Sequence, residues 1–512
     1  MENPTALHVE RHADLPCLSW LLELRGGSAS LICGSAVNTR SNSFFEGAWA
    51  GNFADWNFDG ATEVFGSGGR LTFRGWLIIP PSHTLEATYL MRLCGGSWLA
   101  SNSLVFLLSY SGARFLTSRY RLALSFIEIV NGIDHSPTEF KTTKGKLYLL
   151  NHHNAILGAA GLEVCPKAIP DAFAEFSDYT AYLSRVVRST AENAAASGRV
   201  THYRMLATIS SGYDSPACAT IASAVGCDEA VSFGRARGDV PDDGLEVGRH
   251  LDMRVILMSR PIGTTGLEAS FPEFFATGMQ GEDLVYATLS DLVPRRLLIT
   301  GFHGGAVWDP HVRPTSAIKR GDISGSSLGE FRLLRDFVHL PLPFVGAQRQ
   351  GDLVRIGRSA EMRSYSVGGY YDRPIPRRIV EQSGIPRSAF GQTKKAGSIL
   401  IFFDRKLMPT ATRRAIEGAS NLGFLGWVVY RMRFTWFRLG LWVFGLRIRG
   451  ARILPPRARA GYQALWNALR RLVFGQWEVF HHGDPLMAFA LKWAVEKMSS
   501  CYKKKMSSRY KR

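Results

Sequence analysis

The chain has 512 residues, which exceeds the size of one ordinary domain, so we expect two or three domains. Hydrophobic residues make up 46% and charged residues 20%, a balance typical of globular proteins that excludes a disordered chain. The net charge of +18 and the isoelectric point near 9.8 favour an anionic partner: a nucleic acid, an acidic membrane surface or a polyanionic substrate. A solvated basic surface accounts for the same charge equally well.

The cysteines and apolar segments limit the location and class of the protein. Seven cysteines are scattered without a C-x-x-C pair, which argues against a disulfide scaffold, a zinc site or an iron–sulfur cluster. The first residues resemble no signal peptide, so we expect a reducing, cytoplasmic location. The apolar stretch 424–448 is interrupted by arginines such as Arg431 and Arg447, so it predicts no transmembrane helix. Peripheral attachment to a membrane surface stays open.

The first 150 residues consist of short apolar runs separated by Gly, Ser and Asn. Examples are Ala29–Cys33 and Leu71–Ile79, the second of which is stopped by Pro80 and Pro81. This pattern predicts a β-rich domain with many turns. The segment 172–195 then has helical periodicity and is expected to bridge to the next domain.

From Tyr203 to about Thr300, apolar strands alternate with helical stretches, which predicts a parallel α/β sheet. We expect strands at 204–209, 230–233 and 297–300, and a helix over 217–225 with Pro216 in its first turn. The predicted domains are therefore a β-rich region at 1–165, an α/β domain at 166–415 and a basic helical extension at 416–512.

The predicted extension is rich in Trp and Arg. No Asp or Glu lies between Ser420 and Trp477, and Trp and Arg alternate from Trp427 onward. These residues are suited to stacking on bases or to a lipid headgroup layer. Packing of an amphipathic helix pair on the α/β domain is the favoured interpretation. His481 and His482 have no partner at metal-ligand spacing, so we expect no site there.

A loop between a predicted strand and a predicted helix has the composition of a phosphate site. The free N–H groups of a first helical turn bind anions, and a glycine such as Gly212 lets the backbone approach phosphate closely. Asp214 suits such a site if Mg²⁺ accompanies the nucleotide. A plain strand–turn–helix with a capping residue is the alternative. The proposed cofactor-binding loop consists of Ser210, Ser211, Gly212, Tyr213, Asp214 and Ser215.

This loop resembles the S-G-G-x-D-S loop of N-type ATP pyrophosphatases, with Ser211 in place of one glycine. Later segments follow the order seen in the synthetase domain of asparagine synthetase and β-lactam synthetase, and the likeness covers roughly residues 170 to 400. The matching segments are Val231–Gly234, which lies near adenine in that family, the acidic-start segment Asp242–Leu251, Thr300–Gly305 in the place of S-G-E-G-A-D, and the lysine motif Gly391–Lys395.

The resemblance implies an adenine-nucleotide α-hydrolase-like synthetase domain and an ATP-dependent carboxylate–amine ligase. A small-molecule or peptide carboxylate would attack the α-phosphate of ATP to give an acyl-adenylate and pyrophosphate, and an amine would then displace AMP. Lys394 or Lys395 would stabilise the charge of the adenylation transition state. Asp214 would hold Mg²⁺, while Val231, Phe233, Thr300 and Gly301 would contact the nucleotide.

Three positions depart from the family pattern. Gly305 stands where the family keeps a second Mg²⁺-binding Asp, and Phe302 replaces a Glu that assists the amine step. Asp309, four residues after Gly305, is a candidate replacement metal ligand from the next turn. Residue 2 is Glu2 rather than the nucleophilic Cys of the family's glutaminase domain, so the N-terminal region is expected to be a glutaminase-like remnant that does not hydrolyse glutamine.

Two other functions stay open at this point. Phe302 and Gly305 favour a nucleotide-binding pseudoenzyme that does not complete the reaction. The basic charge favours a nucleic-acid-modifying ATP pyrophosphatase, against which the absent C-x-x-C pair and the segment order argue.

Overall fold

The computed structural model describes residues 7–435, 438 and 485–503, except residues 159, 262, 370 and 421. Two β-sheets form the N-terminal region. Their strands are β1 (His8–Arg11), β2 (Trp20–Arg25), β3 (Ser28–Cys33), β4 (Asn38–Arg40), β5 (Ser43–Trp49), β6 (Val64–Thr72), β7 (Gly75–Ile79), β8 (Thr88–Leu93), β9 (Trp98–Ser101), β10 (Thr138–Thr142), β11 (Gly145–Leu150), β12 (Asn154–Gly158) and β13 (Gly161–Cys165).

The two N-terminal sheets share a buried aromatic and aliphatic core. One has the order β1-β3-β2-β9-β8-β11-β10 and the other β13-β12-β7-β6-β5-β4, and all pairs except β1–β3 are antiparallel. Trp20 of one sheet packs edge-on against Phe44 of the other, with ring centroids 4.9 Å apart. Trp20 Nε1 also donates a hydrogen bond of 3.0 Å to Ser67 Oγ. The only polar atom of the Trp20 side chain is therefore satisfied.

The prediction of a β-rich N-terminal region with many turns is confirmed, and one apolar run differs from its simplest interpretation. The apolar run Leu71–Ile79 reads as a single strand, but it is a hairpin in which Leu71 pairs with Trp76. Phe73 lies in the turn and is 99% exposed, so an apolar residue here marks a turn rather than a core position.

A five-stranded parallel sheet follows, and it confirms the predicted α/β pattern. Its strands are β14 (Arg204–Thr208), β15 (Glu229–Ser232), β16 (Arg254–Leu257), β17 (Arg296–Thr300) and β18 (Val338–Pro341). Helices in the described part of the chain include α1 (Leu104–Ser111), α2 (Arg119–Ile127), α3 (Phe176–Ala195), α4 (Asp214–Ser223), α5 (Leu245–His250), α6 (Phe271–Phe275), α7 (Gly304–Val307), α8 (Gly329–Arg335), α9 (Gln350–Gly357), α10 (Pro374–Gln382), α11 (Thr410–Ala419) and α12 (Met487–Lys503).

In the strand order β16-β15-β14-β17-β18, the direction in which successive strands are added to the sheet reverses between β14 and β17. The chain runs outward from β14 to β15 and β16, then returns to β17 on the opposite side of β14. Open α/β sheets bind ligands in the crevice at such a switch point, beyond the carboxyl ends of the strands. The loops that leave β14 and β17 there are Ile209–Tyr213 and Gly301–His303.

A buried ion network joins the N-terminal sheets to the parallel-sheet region. Arg332 of α8 is 2% exposed, and its guanidinium donates to both carboxylate oxygens of Glu46 in β5, at 2.7 and 2.9 Å. Its Nε donates to Glu86 Oε2 at 2.7 Å. Burial, which outweighs the attraction of Arg332, raises the pKa of Glu86 to about 7. The two regions therefore share one charged contact that is shielded from water.

The C-terminal helix α12 contacts both regions. The Tyr502 ring stacks on Phe106 of α1 with centroids 4.9 Å apart, and its hydroxyl donates to Glu330 Oε2 of α8 at 2.8 Å. The predicted extension was expected to pack on the α/β domain, and α12 also covers the N-terminal helix α1. Residues 424–435 are helical too, whereas most of the Trp- and Arg-rich segment and His481–His482 lie outside the described residues. Within the described ranges, no helix combines the length and apolar character needed to cross a membrane.

We predict that Arg332→Met destabilises the protein by about 3–5 kcal/mol, because it leaves two buried carboxylates without their cation. Urea unfolding measured by circular dichroism gives this value. The control is Lys146→Ala, which breaks an ion pair with Glu139 in which the side chains are 55% and 39% exposed. Solvent screens that pair, so its unfolding midpoint should equal that of the wild type. Equal midpoints for both variants would show that the Arg332 network does not stabilise the fold.

Candidate functional site

A cavity of about 440 Å³ lies at the carboxyl ends of β14, β15 and β17. Most of the predicted site residues, which come from four segments that are distant in sequence, surround this cavity. The predicted residues that line the cavity are Ser210, Gly212, Tyr213, Asp214, Ser215, Val231, Phe233, Thr300, Gly301, Lys394 and Lys395.

A larger depression of about 620 Å³ lies on the helical segment 424–435 and is nearly open to solvent. It is lined by Phe424, Trp427, Val428, Arg431, Met432 and Thr435, which all belong to that one helix. None of these described residues is a carboxylate, so the smaller cavity at the switch point is the better candidate for chemistry.

The loop after β14 is held together by its own hydroxyl groups. Ser210 Oγ lies 2.8 Å from Ser215 Oγ and accepts a hydrogen bond of 3.2 Å from the Gly212 amide. Ser211 does not line the cavity. Its amide and hydroxyl instead donate to Asp242 Oδ1, at 3.1 and 2.8 Å. Ser211 therefore ties the loop to the acidic segment that follows β15, and the remaining loop residues face the cavity.

Asp214 is the first residue of α4, and one of its oxygens is unpartnered. Oδ1 is shielded from solvent and makes no hydrogen bond within the part of the chain that the structure describes. Burial raises the pKa of Asp214 to about 6, and the nearby cations Arg373 and Lys394 oppose that rise. A buried carboxylate oxygen without a donor is suited to binding a cation.

Two glycines after β17 allow the backbone to approach Asp214. A Cβ atom on Gly304 would lie 2.6 Å from Asp214 Cγ, and one on Gly301 would lie 2.7 Å from the Ser215 nitrogen. Any side chain at these positions collides with the start of α4. At Gly305 the nearest atom to a Cβ would be Asp214 Oδ2 at 3.7 Å, an ordinary contact distance. The position at which the family that the sequence resembles keeps a second carboxylate therefore has room for a side chain.

Asp309 does not lie where the spacing argument placed it. Helix α7 ends at Val307, so Asp309 is not one helical turn beyond Gly305. Its carboxylate does not line the cavity and forms an ion pair of 2.9 Å with Arg373, which also donates to the Gly305 carbonyl at 3.1 Å. The structure thus gives no support to Asp309 as a partner of Asp214 in metal binding.

The lysine motif packs directly on the loop after β14. The Gly391 amide donates to the Ser211 carbonyl at 2.8 Å, and a Cβ on Gly391, whose φ is +63°, would lie 2.3 Å from the Tyr213 ring. Lys395 Nζ donates to Ser211 Oγ at 2.6 Å. Lys394 is exposed and lines the cavity. The two lysines therefore have different surroundings: Lys395 holds the loop, and Lys394 faces the cavity.

One wall of the cavity is apolar and aromatic. Val231 and Phe233 form part of it, as the resemblance implies, and Tyr286 packs against Phe233 with ring centroids 5.3 Å apart. Phe302 lies 5.8 Å from Tyr286 and continues the wall. A flat aromatic base fits such a surface.

Several residues of the lining were missed by sequence reasoning. They come from the loops before β17 and after α7, which have no periodicity and no motif, so no local signal could have identified them. They include Glu282, Asp283, Val285, Tyr286 and Asp322.

The donors present fit a magnesium ion that arrives with a nucleotide, but they do not form a complete metal cage. In residues 7–435 and 485–503, apart from the few not described, no three His, Cys, Asp or Glu side chains are close enough to hold a metal. Mg²⁺ in nucleotide sites is commonly held by one or two carboxylates together with phosphate oxygens and water. Asp214 Oδ1 supplies one such carboxylate oxygen.

No model of a known protein family matches the chain, and no curated protein is similar to it in sequence. The function is therefore inferred from the cavity and from the ordered motifs that line it.

We predict that Gly304→Ala weakens binding of ATP with Mg²⁺ at least tenfold, because the new methyl group displaces Asp214. Overpacking of this kind costs about 1–3 kcal/mol. Isothermal titration calorimetry measures the affinity. Gly305→Ala is the matched control, since its methyl group meets Asp214 only at 3.7 Å, and its affinity should stay within twofold of the wild type. If both variants bind ATP like the wild type, the contact between Gly304 and Asp214 is irrelevant to the nucleotide.

Proposed function

We propose that the chain is an ATP-dependent, AMP-forming ligase that joins a carboxylate to an amine, related to the synthetase domain of asparagine synthetase. The observation that carries the proposal is the arrangement at the switch point. The loop that resembles a pyrophosphate loop, the unpartnered Asp214 oxygen and the Lys394 side chain all border one cavity. Each has a separate task in α-phosphate chemistry.

The nucleotide is proposed to lie along the cavity with its phosphates at the start of α4. Helix N-termini bind phosphate through free amides and the helix dipole, and α4 begins directly after Gly212 and Tyr213. Ser210 and Ser215 add hydroxyl donors. The apolar wall formed by Val231 and Phe233 then receives the adenine.

The first half-reaction forms an acyl-adenylate. A carboxylate oxygen of the substrate attacks the α-phosphorus, the bond to the bridging oxygen breaks, and pyrophosphate leaves with the electron pair. Negative charge grows on the transferring group, and the Lys394 ammonium, which lines the cavity, would stabilise it. Asp214 would hold Mg²⁺, whose charge lowers the repulsion between phosphate oxygens and the incoming carboxylate. Lys395 keeps the loop in place through Ser211.

The second half-reaction joins the amine to the activated carbonyl and releases AMP. The family's Glu at this step corresponds here to Phe302, which is packed between Tyr286 and His339 with ring centroids 5.8 Å from each. Phe302 cannot accept a proton, so another residue must take that role. We propose that the amine comes from free ammonia, an amino-bearing substrate or a separate partner.

We predict that the protein releases pyrophosphate from ATP and Mg²⁺ when it is screened with aspartate and other carboxylates. Asp214→Asn and Lys394→Ala should each lower this release at least 100-fold, and removal of Mg²⁺ with EDTA should abolish it. A coupled pyrophosphate assay measures the rate. Lys144→Ala, which changes an exposed lysine of the β-rich region, is the control and should react like the wild type.

Three results would contradict the proposal in different ways. Wild-type rates in both site variants would show that the site is assigned incorrectly. ATP binding without pyrophosphate release would identify a nucleotide-binding pseudoenzyme. Salt-dependent RNA binding together with release of pyrophosphate only in the presence of RNA would identify a nucleic-acid-modifying enzyme.

A further inference from the structure

Glu282 is a buried carboxylate in the cavity lining, and its side chain has no partner in the described part of the chain. It is 8% exposed, and its carboxylate oxygens make no hydrogen bond or ion pair with any residue that the structure describes. The neighbouring Asp283 differs, because its oxygens accept hydrogen bonds from the Gly325 amide at 2.7 Å and from the Ser327 amide and hydroxyl at 3.0 and 2.7 Å. Asp283 therefore supports a loop, whereas the Glu282 carboxylate makes no such contact with the described residues.

The backbone places Glu282 next to the segment that follows the two lysines. Its carbonyl oxygen accepts a hydrogen bond of 2.8 Å from the Ile399 amide, and residues 396–398 line the cavity beside it. Asp322 lines the same cavity, and its negative charge raises the pKa of both Glu282 and Asp214. The cavity thus has acidic groups in addition to the phosphate-binding elements.

Arg237 and Arg320 attract Glu282 electrostatically, but neither forms an ion pair with it among the described contacts. Arg320 is buried and is engaged by Ser326 Oγ at 2.6 Å and by the Ser324 carbonyl, while Arg237 is exposed. Burial is the main cause that raises the pKa of Glu282 to about 8, and Asp283 and Asp322 add to it. A buried carboxylate without a partner is unfavourable, and a ligand cation removes that cost.

We propose that Glu282 binds the ammonium group of the acceptor amine and takes its proton before the amine attacks the acyl-adenylate. This inference rests on the ligase function proposed above. Glu282 would accept the proton of the amine, which Phe302 cannot do, and it would do so from a different segment of the chain. The acceptor is accordingly a primary amine that arrives as a cation, rather than a neutral or anionic nucleophile.

The proton and bond changes balance without a further reactant. The Glu282 carboxylate accepts one proton from the ammonium group and leaves a neutral amine. The amine lone pair forms the C–N bond at the acyl carbon, and the bond from that carbon to the phosphate oxygen breaks, so that AMP leaves with the electron pair. The nitrogen releases its second proton to water. The carboxyl group of Glu282 returns its proton to solvent when the products depart.

The test compares the full-length wild type with Glu282→Gln, which keeps the side-chain volume and removes the charge. The reaction contains ATP, Mg²⁺, the carboxylate that gives the fastest pyrophosphate release, and either methylamine or hydroxylamine as acceptor. Hydroxylamine is uncharged at neutral pH, so it needs no proton acceptor before it attacks. We expect Glu282→Gln to release pyrophosphate within about twofold of the wild-type rate and to form the hydroxamate within about threefold. Amide formation with methylamine should fall about 100-fold or more, the usual contribution of a general base.

Glu192→Gln is the matched control, since it removes an exposed carboxylate of α3 that does not line the cavity. It should form the amide within about threefold of the wild-type rate. Amide formation at the wild-type rate in Glu282→Gln would overturn the inference and leave the ligase function standing. An equal loss of amide and hydroxamate would show that Glu282 only maintains the structure, which also overturns it.

A binding measurement decides the role of Glu282 if the wild type releases no pyrophosphate and the ligase proposal fails. Thermal unfolding is followed with a non-hydrolysable ATP analogue, Mg²⁺ and increasing methylamine hydrochloride, against sodium chloride at equal ionic strength. We expect a saturable rise in the midpoint for the wild type and none for Glu282→Gln, because a ligand that binds only the folded state stabilises it. The same response in both proteins would exclude an ammonium site at Glu282.

Discussion

The parallel pairing of β14 with β17 is the contact on which the candidate site depends. Met205 pairs with Leu297 and Leu206 with Leu298, so the two strands end side by side. The loop after one strand then meets the loop after the other, and the two loops touch at Gly301 and Gly304, where only glycine fits beside the start of α4. Because the strands are buried and hydrogen-bonded, the loops are presented on a rigid support. This is the arrangement that positions reacting groups most accurately.

Sequence reasoning succeeded where the signal was local. The strand at 204–208 and the turn into α4 are visible because a buried apolar run is followed directly by Ser, Gly and Asp. The hairpin within Leu71–Ile79 was missed because its turn contains Phe73 and Arg74 instead of Asn and Gly, the pair that marks tight hairpins.

Residues whose position depends on distant contacts could not be found in this way. Glu282 and Tyr286 reach the cavity from the loop region between β16 and β17, and only the packing of β17 beside β14 brings them there. Asp309 illustrates the opposite failure, since spacing along a helix has no meaning once the helix has ended. The guanidinium that engages it comes from Arg373, which is more than 60 positions away. Such pairings carry no signature in a single sequence.

A hydrogen bond of 3.1 Å joins Ser109 of α1 to Ser499 of α12, although the two residues are separated by 390 positions. Helix α1 carries a continuous buried run from Leu104 to Leu108, and α12 covers part of it. During synthesis this apolar run emerges long before its partner exists. The nascent chain therefore exposes an apolar surface during most of its synthesis, and binding to chaperones or aggregation then competes with folding. The contacts between α1 and α12 can form only after α12 has been made, so they are a late step in folding.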